Sequence, residues 1–221
     1  NSYLRLTSAL DRFDLVGEKG LDYSFRNVSS KVLFISFSSD WLYPPWQSQE
    51  IVESLHRMGK DASYLELDDK HGHDSFLINS DNFLRAVRVF FSGMDEKEEQ
   101  DQNLDRFRPV SNRYEVKKVA DFKVIDEWVS PESRILDLGC GRGILLEHLR
   151  NTKGIKGLGI DFERSKATSC IARGVSVYQQ DIRMALKNLA DDSFDWVIFS
   201  RMVEELTEPG YVILEALRAV S

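Results

Sequence analysis

Two sets of residues in this chain have types and spacing that could do chemistry. The first is Asp137, Gly139, Gly141, Gly143, Asp161 and Asp181. Glycines alternate through Gly139-Cys140-Gly141-Arg142-Gly143 directly after an acid, and a turn of that kind at a helix N-terminus exposes backbone N–H groups to a ligand. Asp161 follows at close to the roughly 20-residue spacing at which a carboxylate meets a ribose hydroxyl in dinucleotide-binding folds. No Gly-Lys-Ser/Thr follows the loop, which argues against a nucleoside-triphosphate cradle. The spacing is G-x-G-x-G rather than G-x-G-x-x-G, and the charge of Asp137 would repel a pyrophosphate. That acid suits a ligand carrying a positive amino group and a sulfonium. The second set is Asp40 and His73, an acid just past one apolar run and a histidine just past the next. A carboxylate that orients a histidine is two-thirds of a nucleophilic triad.

Ordinary readings stand beside these. Asp40 also reads as a turn residue and His73 as a loop histidine, and Asp161 and Asp181 as strand-end turn acids. His71-Gly72-His73-Asp74 has the look of a metal cluster, but the chain holds four histidines and no third ligand at matching spacing, so no metal is expected. Cys140 reads as a small packing residue rather than a nucleophile. His148 reads as a helix-surface residue, and Met184 and Met202 as core or edge packing.

These residues need elements to hold them. Lys31–Phe37 reads as a buried strand and Ser63–Leu67 as a second, with a helix from Gln47 to Met58 between them. Neighbouring strand ends in a parallel sheet lie on one edge, so Asp40 and His73 are expected to meet there. Gly17–Ser30 carries loop chemistry, and Ser75–Phe90 reads as a strongly amphipathic helix. Further on, a helix spans Val116–Val129, and Arg134–Leu138 is a strand running into the glycine turn and a helix from Ile144. Gly157–Asp161, Val175–Asp181 and Asp195–Ser200 read as three more strands, with a helix over Ser165–Arg173. Strands alternating with helices predict a parallel α/β sheet. Between the halves, residues 92–111 are rich in Asp, Glu and Gln without amphipathic period, as a solvated acidic linker is.

The chain has 221 residues, net charge −7 and two cysteines, with no run long and apolar enough to span a membrane. Its charge gives no support to a nucleic-acid or anionic-membrane partner. Cysteine usage and the absence of a signal peptide point to the cytoplasm. The first residue is not methionine, and helical patterns run up to both ends, so a piece of a longer chain is expected.

Asn1-Ser2-Tyr3-Leu4, Ser39-Asp40-Trp41-Leu42-Tyr43-Pro44 and Gly72-His73-Asp74-Ser75-Phe76-Leu77 together resemble the C-terminal third of homoserine O-acetyltransferases, acyltransferases of the α/β-hydrolase fold. The order of that fold is nucleophile, acid, histidine. No G-x-S-x-G occurs here, so the serine would lie upstream of residue 1. The resemblance implies a triad acid at Asp40, a general base at His73, Asp74 near the homoserine amine, acetyl-CoA as acyl donor, and a homodimer. A succinyl donor and esterase chemistry share the same triad logic and stay open. Residues 1–221 alone are expected to be inactive as an acyltransferase.

Trp128 through Gly143, Gly157 through Asp161 and Asp192-Ser193-Phe194-Asp195-Trp196-Val197-Ile198 resemble the class I S-adenosylmethionine-dependent methyltransferase fold, and within it MetW of methionine biosynthesis. What this implies is S-adenosylmethionine as ligand. Gly139, Gly141 and Gly143 would approach its methionine part, Asp137 its amine, Asp161 the ribose hydroxyls and Asp181 the adenine. Methylation of a small molecule, ligand-dependent regulation of the partner unit, and a non-catalytic interaction role all remain open. The expected architecture is therefore the C-terminal piece of an α/β-hydrolase fold (1–91), the linker (92–111), and an incomplete Rossmann-like methyltransferase fold (112–221).

Overall fold

The computed structural model describes residues 12–78, 81–93, 124–199 and 208–220, together with Arg5, Thr7, Ser8, Phe122 and Leu206. The Asn1–Leu4 motif, most of the expected opening helix, the body of the acidic linker, the start of the Val116–Val129 helix and Met202 lie outside the described residues.

The described strands form one parallel sheet. β1 (Val32–Phe37) pairs with β2 (Ala62–Leu67) over its whole length, from Val32 opposite Ala62 to Phe37 opposite Leu67. The crossover between them is α2 (Pro45–Arg57), which follows the short α1 (Gly20–Phe25) in chain order. Proline opens α2 because the first helical turn has no intrahelical use for its missing N–H. After α3 (Asp81–Ser92) come β3 (Arg134–Leu138), α4 (Ile144–Lys153), β4 (Lys156–Asp161), α5 (Arg164–Ala172), β5 (Ser176–Gln179), α6 (Ile182–Lys187), β6 (Trp196–Phe199) and α7 (Pro209–Arg218). The strand order across the sheet is β1-β2-β5-β4-β3-β6. β3 thus sits between β4 and β6, and the direction of winding reverses beside it, the place where open α/β sheets take ligands.

Side chains alternate across the strands and feed two cores, one on each face. On one face α2, α6 and α7 pack through Val52, Leu55, Leu186 and Val212 onto Tyr64, Leu136 and Tyr178. On the other, α3, α4 and α5 pack through Val89, Leu149 and Ile171 onto Leu65, Ile135 and Val177. Both cores draw residues from both halves of the chain. The halves meet where β2 pairs with β5, Tyr64 opposite Tyr178, a join that reading the halves separately does not foresee. The two tyrosine rings meet edge to face at 5.8 Å between centroids, and both are fully buried. Ser63 Oγ accepts the Val177 N–H (3.2 Å), Lys31 Nζ donates to Gly174 O (2.5 Å), and Glu53 Oε1 accepts from Tyr178 Oη (2.7 Å) and Asn188 Nδ2 (2.8 Å).

The expected elements that fall on the described residues are present with four corrections. The Ser75–Phe90 helix is replaced by a 3-10 turn over Gly72–Phe76 and a helix that starts only at Asp81. Ser75 Oγ donates to Gly72 O, and the Leu77 N–H reaches Asp74 O three residues back, which keeps the turn tight around His73. Phe76 and Leu77 are exposed there, so their apolar character marks a surface rather than the buried stripe of a helix. The expected loop Gly17–Ser30 contains α1, which has no fully buried residue but packs Phe25 against one core and is tethered by Asp22, whose Oδ1 accepts from Ser54 Oγ (2.6 Å) and Arg57 Nη2 (2.9 Å). The strand expected to run to Asp181 stops at Gln179, because Asp181 caps the following helix instead. Met184, expected to pack, is 56% exposed on the outer side of that short helix.

Candidate functional site

Asp40 and His73 follow β1 and β2, and the in-register parallel pairing of those strands delivers both to one edge of the sheet. His73 Nδ1 lies 3.0 Å from Asp40 Oδ2. A carboxylate only accepts, so Nδ1 carries the hydrogen and Nε2 is left as the basic nitrogen. The other carboxylate oxygen accepts the Leu42 and Tyr43 N–H groups at 3.0 and 2.9 Å, which fixes the plane of the acid. Burial pushes the Asp40 carboxyl up, but the Tyr43 N–H, His73 and the Leu42 N–H outweigh it and hold the group below its ordinary pKa. Asp40 is buried, whereas the His73 side chain is 40% exposed. The rings of Tyr43 and Phe76 flank it at 4.9 and 5.4 Å between centroids. Gly72 adopts φ +61°, and its N–H is accepted by Ser39 Oγ (3.0 Å), which ties the histidine turn to the loop carrying Asp40. Asp74 is exposed beside this pair. Sequence reasoning missed the aromatic flank; Trp41, Leu42 and Tyr43 are exposed apolar residues next to an acid, and that run was its signal.

The second set surrounds the end of β3. Asp137 is fully buried there, opposite Gly159 on one neighbour and Ile198 on the other. Gly139, Gly141 and Gly143 have φ of +71°, +58° and +74°, left-handed values that a side chain tolerates poorly. Their surroundings differ. A Cβ on Gly143 would stand 2.9 Å from Cys170 Sγ, while one on Gly141 would meet nothing within 4 Å, so the backbone at Gly141 is open to close approach. The thiols of Cys140 and Cys170 are buried, 3.8 Å apart, and Cys170 Sγ reaches Gly141 O at 3.2 Å. The contact with Cys170, and burial, push the Cys140 thiol up, which makes it an inert packing group. His148 lies on the helix surface, with Nε2 3.3 Å from Asp126 Oδ1.

Asp161 and Asp181 are placed less simply. Asp161 ends β4 and is buried, with Oδ2 accepting the Gly141 N–H (3.1 Å) and Oδ1 accepting the Glu163 N–H (2.9 Å). It therefore pins the glycine loop, and Lys166 Nζ lies 3.9 Å from Oδ2. Asp181 accepts the Arg183 N–H (2.9 Å) as the N-cap of α6 and pairs with the Arg183 guanidinium (3.3 Å). Burial raises its carboxyl, yet the bonds from Arg183 hold it below its ordinary pKa. The structure brings Asp137, the three glycines and Asp161 together around one turn and sets Asp181 apart at the rim.

A crevice of about 340 Å³ opens at the carboxyl ends of the strands, with Phe162, Gln179 and Asp181 in its wall. A larger cavity, about 870 Å³, opens at the amino ends among Asp61, Arg134, Lys156 and Ser176, and holds none of the candidate residues. Of the candidate residues, Asp181 lines the carboxyl-end crevice, which adjoins the end of β4 through Phe162. Among the described residues, no cluster of three or more His, Cys, Asp or Glu side chains is arranged to hold a metal ion, and no helix is long and apolar enough to cross a membrane.

Comparison with known proteins bears on this arrangement. Residues 119–221 match the family described as Methionine biosynthesis protein MetW. The MetW match covers the β3 turn, Asp161 and Asp181. Over nearly the whole chain (99%), the sequence is 32% identical to the bifunctional methionine biosynthesis protein MetXA/MetW of Rhodopirellula baltica, of which it covers 35%. A stretch of 92 residues, 42% of the chain, is 50% identical to homoserine O-acetyltransferase of Methanosarcina acetivorans and covers 17% of that protein. The resemblance to both families read from the sequence is therefore borne out. The chain spans about a third or less of the length of these relatives. Among solved structures, a SAM dependent methyltransferase from Archaeoglobus fulgidus aligns with 50% of this chain and 49% of its own, at 27% identity and a TM-score of 0.44.

Proposed function

We propose that this chain is part of a two-unit protein of methionine biosynthesis. Residues 1–91 are the C-terminal part of a homoserine O-acetyltransferase unit, 92–111 an acidic tether, and 112–221 a MetW-like unit that binds S-adenosylmethionine. The observation that carries the first unit is the 3.0 Å contact between His73 Nδ1 and Asp40 at the ends of paired parallel strands.

In this reading, Nε2 of His73 takes the proton of a serine hydroxyl from another part of the protein as that oxygen attacks the carbonyl of acetyl-CoA. The imidazolium returns the proton to the departing thiolate, releasing coenzyme A. His73 then takes the proton of the homoserine hydroxyl as it attacks the acyl-serine, and returns it to the serine oxygen. Asp40 stays ionised throughout, holds the Nδ1–H tautomer and stabilises the imidazolium. Asp74 pairs with the homoserine ammonium. The products are O-acetylhomoserine and coenzyme A.

The second unit has the residues for a cationic adenosyl ligand. The open backbone at Gly141 admits a close approach, and the acids Asp137, Asp161 and Asp181 favour an ammonium, hydroxyls and an amino group. S-adenosylmethionine would bring a methyl group on a positively charged sulfur. Gly139, Gly141 and Gly143 would hold its methionine part, Asp137 its amine, Asp161 the ribose and Asp181 the adenine side.

The test is made on the full-length protein. Asp40→Asn should lower kcat for homoserine acetylation by roughly 10³- to 10⁴-fold through the wrong tautomer, with KM little changed. His73→Ala should do at least as much. Unimpaired turnover in either variant would overturn the acyl-transfer assignment. Calorimetric titration of S-adenosylmethionine, with loss of binding in Asp161→Ala, tests the second unit.

A further inference from the structure

The crevice at the carboxyl ends of the strands is walled by both halves of the chain. Gln49, Glu66 and Asp68 come from the first half and face Phe162, Gln179 and Asp181 of the second. Glu66, Asp68, Glu163 and Asp181 line it with Arg164, while Lys166 pairs with Glu163 (2.9 Å) and Arg183 with Asp181 (3.3 Å) at its edge, a balance that gives no support to phosphate-bearing ligands. The carboxamides of Gln49 and Gln179 offer donors and acceptors to the edge of a heterocycle, and the exposed ring of Phe162 offers it a face.

Two bridges cross the join at this place. Gln179 Oε1 accepts the Glu66 N–H of β2 at 2.9 Å, while its Nε2 lies 3.5 Å from Phe162 O, directly after Asp161. Asp68 accepts from Ser38 Oγ at 2.9 Å, two residues before Asp40, and its other oxygen lies 3.8 Å from Arg164 at the start of α5. The loop that carries the acid of the dyad is thereby linked to the loop that carries Asp161.

We propose that this crevice is a composite site, in which a phosphate-free adenosyl ligand bound by the second unit is closed over by Gln49, Glu66 and Asp68 of the first. Occupancy is then felt at the Asp40–His73 dyad through Asp68. The inference rests on the reading of the second unit as an S-adenosylmethionine site. Because first-unit side chains form part of the wall, the ligand's affinity differs between the homoserine-bound and homoserine-free states of the loops that carry Asp40 and Asp68. By linkage, ligand and acyl-transfer substrates then alter each other's binding by the same factor.

The experiment uses the full-length protein and S-adenosylmethionine as probe, titrated calorimetrically with and without saturating homoserine. The wild type should bind, and homoserine should change the dissociation constant by about fivefold, the lower end of ordinary couplings between linked sites. Asp68→Ala, at a position 81% exposed and so without risk to folding, should weaken binding and abolish the homoserine effect. Gln49→Ala should weaken binding by a similar factor. Wild-type binding that neither variant alters, with no homoserine effect, would overturn the composite site while leaving the cofactor reading intact. Absence of binding in the wild type would bring down both, and the Asp161→Ala control separates a dead ligand site from an unshared one.

Discussion

Gly143→Ala is the perturbation whose cost the structure defines most closely. At φ +74° an alanine incurs about 1–2 kcal/mol from the left-handed backbone alone. Its Cβ would also stand 2.9 Å from Cys170 Sγ and 3.4 Å from Cys170 Cα. That residue is fully buried and held against Cys140 and Gly141, so it has little room to yield. Forcing a methyl group into such a site adds about 1–3 kcal/mol, for a total of about 2–5 kcal/mol. Gly141→Ala supplies the internal reference, because its φ of +58° carries the same backbone penalty and its Cβ would meet nothing within 4 Å. Equilibrium urea unfolding of both variants, compared at unchanged m-value, should therefore separate them by about 1–3 kcal/mol, with Gly143→Ala the less stable. Adding Cys170→Ala should relieve the clash, so the double-variant cycle should show coupling in the stabilising direction. Equal destabilisation by the two alanines, or strict additivity with Cys170→Ala, would refute the claim that Gly143 is required for packing. Gly141 would then have no special standing as the ligand-facing glycine.

Further predictions concern the join and the pH response. His56 is fully enclosed, donates from Nε2 to Ala62 O (2.9 Å), and packs on Tyr178; burial lowers its pKa to about 4. The unfolded chain, with an ordinary value near 6.5, takes up the proton first, so stability is complete above about pH 6.5 and falls towards pH 4 by about 3 kcal/mol. His56→Gln should flatten this limb of the pH–stability curve, and an unchanged slope would show that another group titrates there. Tyr64→Leu and Tyr178→Leu should be coupled by about 0.5–1.5 kcal/mol in unfolding experiments, as expected of an edge-to-face pair across the β2–β5 join. Additive losses would mean that the rings contribute only their own burial.

Much of the site was legible because its determinants are local. Glycines spaced two apart after an apolar strand can hardly do anything but turn, and all three adopt positive φ. The acids at 137 and 161 close strands whose ends are marked by composition, and the parallel α/β pattern follows from alternating periodicities. The expectation that Asp40 and His73 meet needed one further rule, that neighbouring parallel strands end on the same edge, and the register of β1 with β2 satisfies it. Ser75–Phe90 misled because periodicity cannot distinguish an apolar residue facing the core from one, such as Leu77, facing outward beside the histidine.

Side-chain direction and long-range partnership were beyond such reasoning. Whether Asp161 turns towards the Gly141 N–H, or Asp181 spends its carboxylate on an N-cap, is decided by hydrogen bonds whose competing geometries look alike in a string of letters. The join of β2 to β5 is further still from the sequence. Any exposed strand edge offers the same row of N–H and C=O groups, so the backbone itself is indifferent to its partner. Only packing settles the choice, here Tyr64 against Tyr178, Ser63 on Val177 and Gln179 on Glu66. By itself the sequence determined the local turns and the two sets of candidate residues they carry. Tertiary structure alone decided that they share one sheet, because burial of matched side chains across an edge is a property of two surfaces at once.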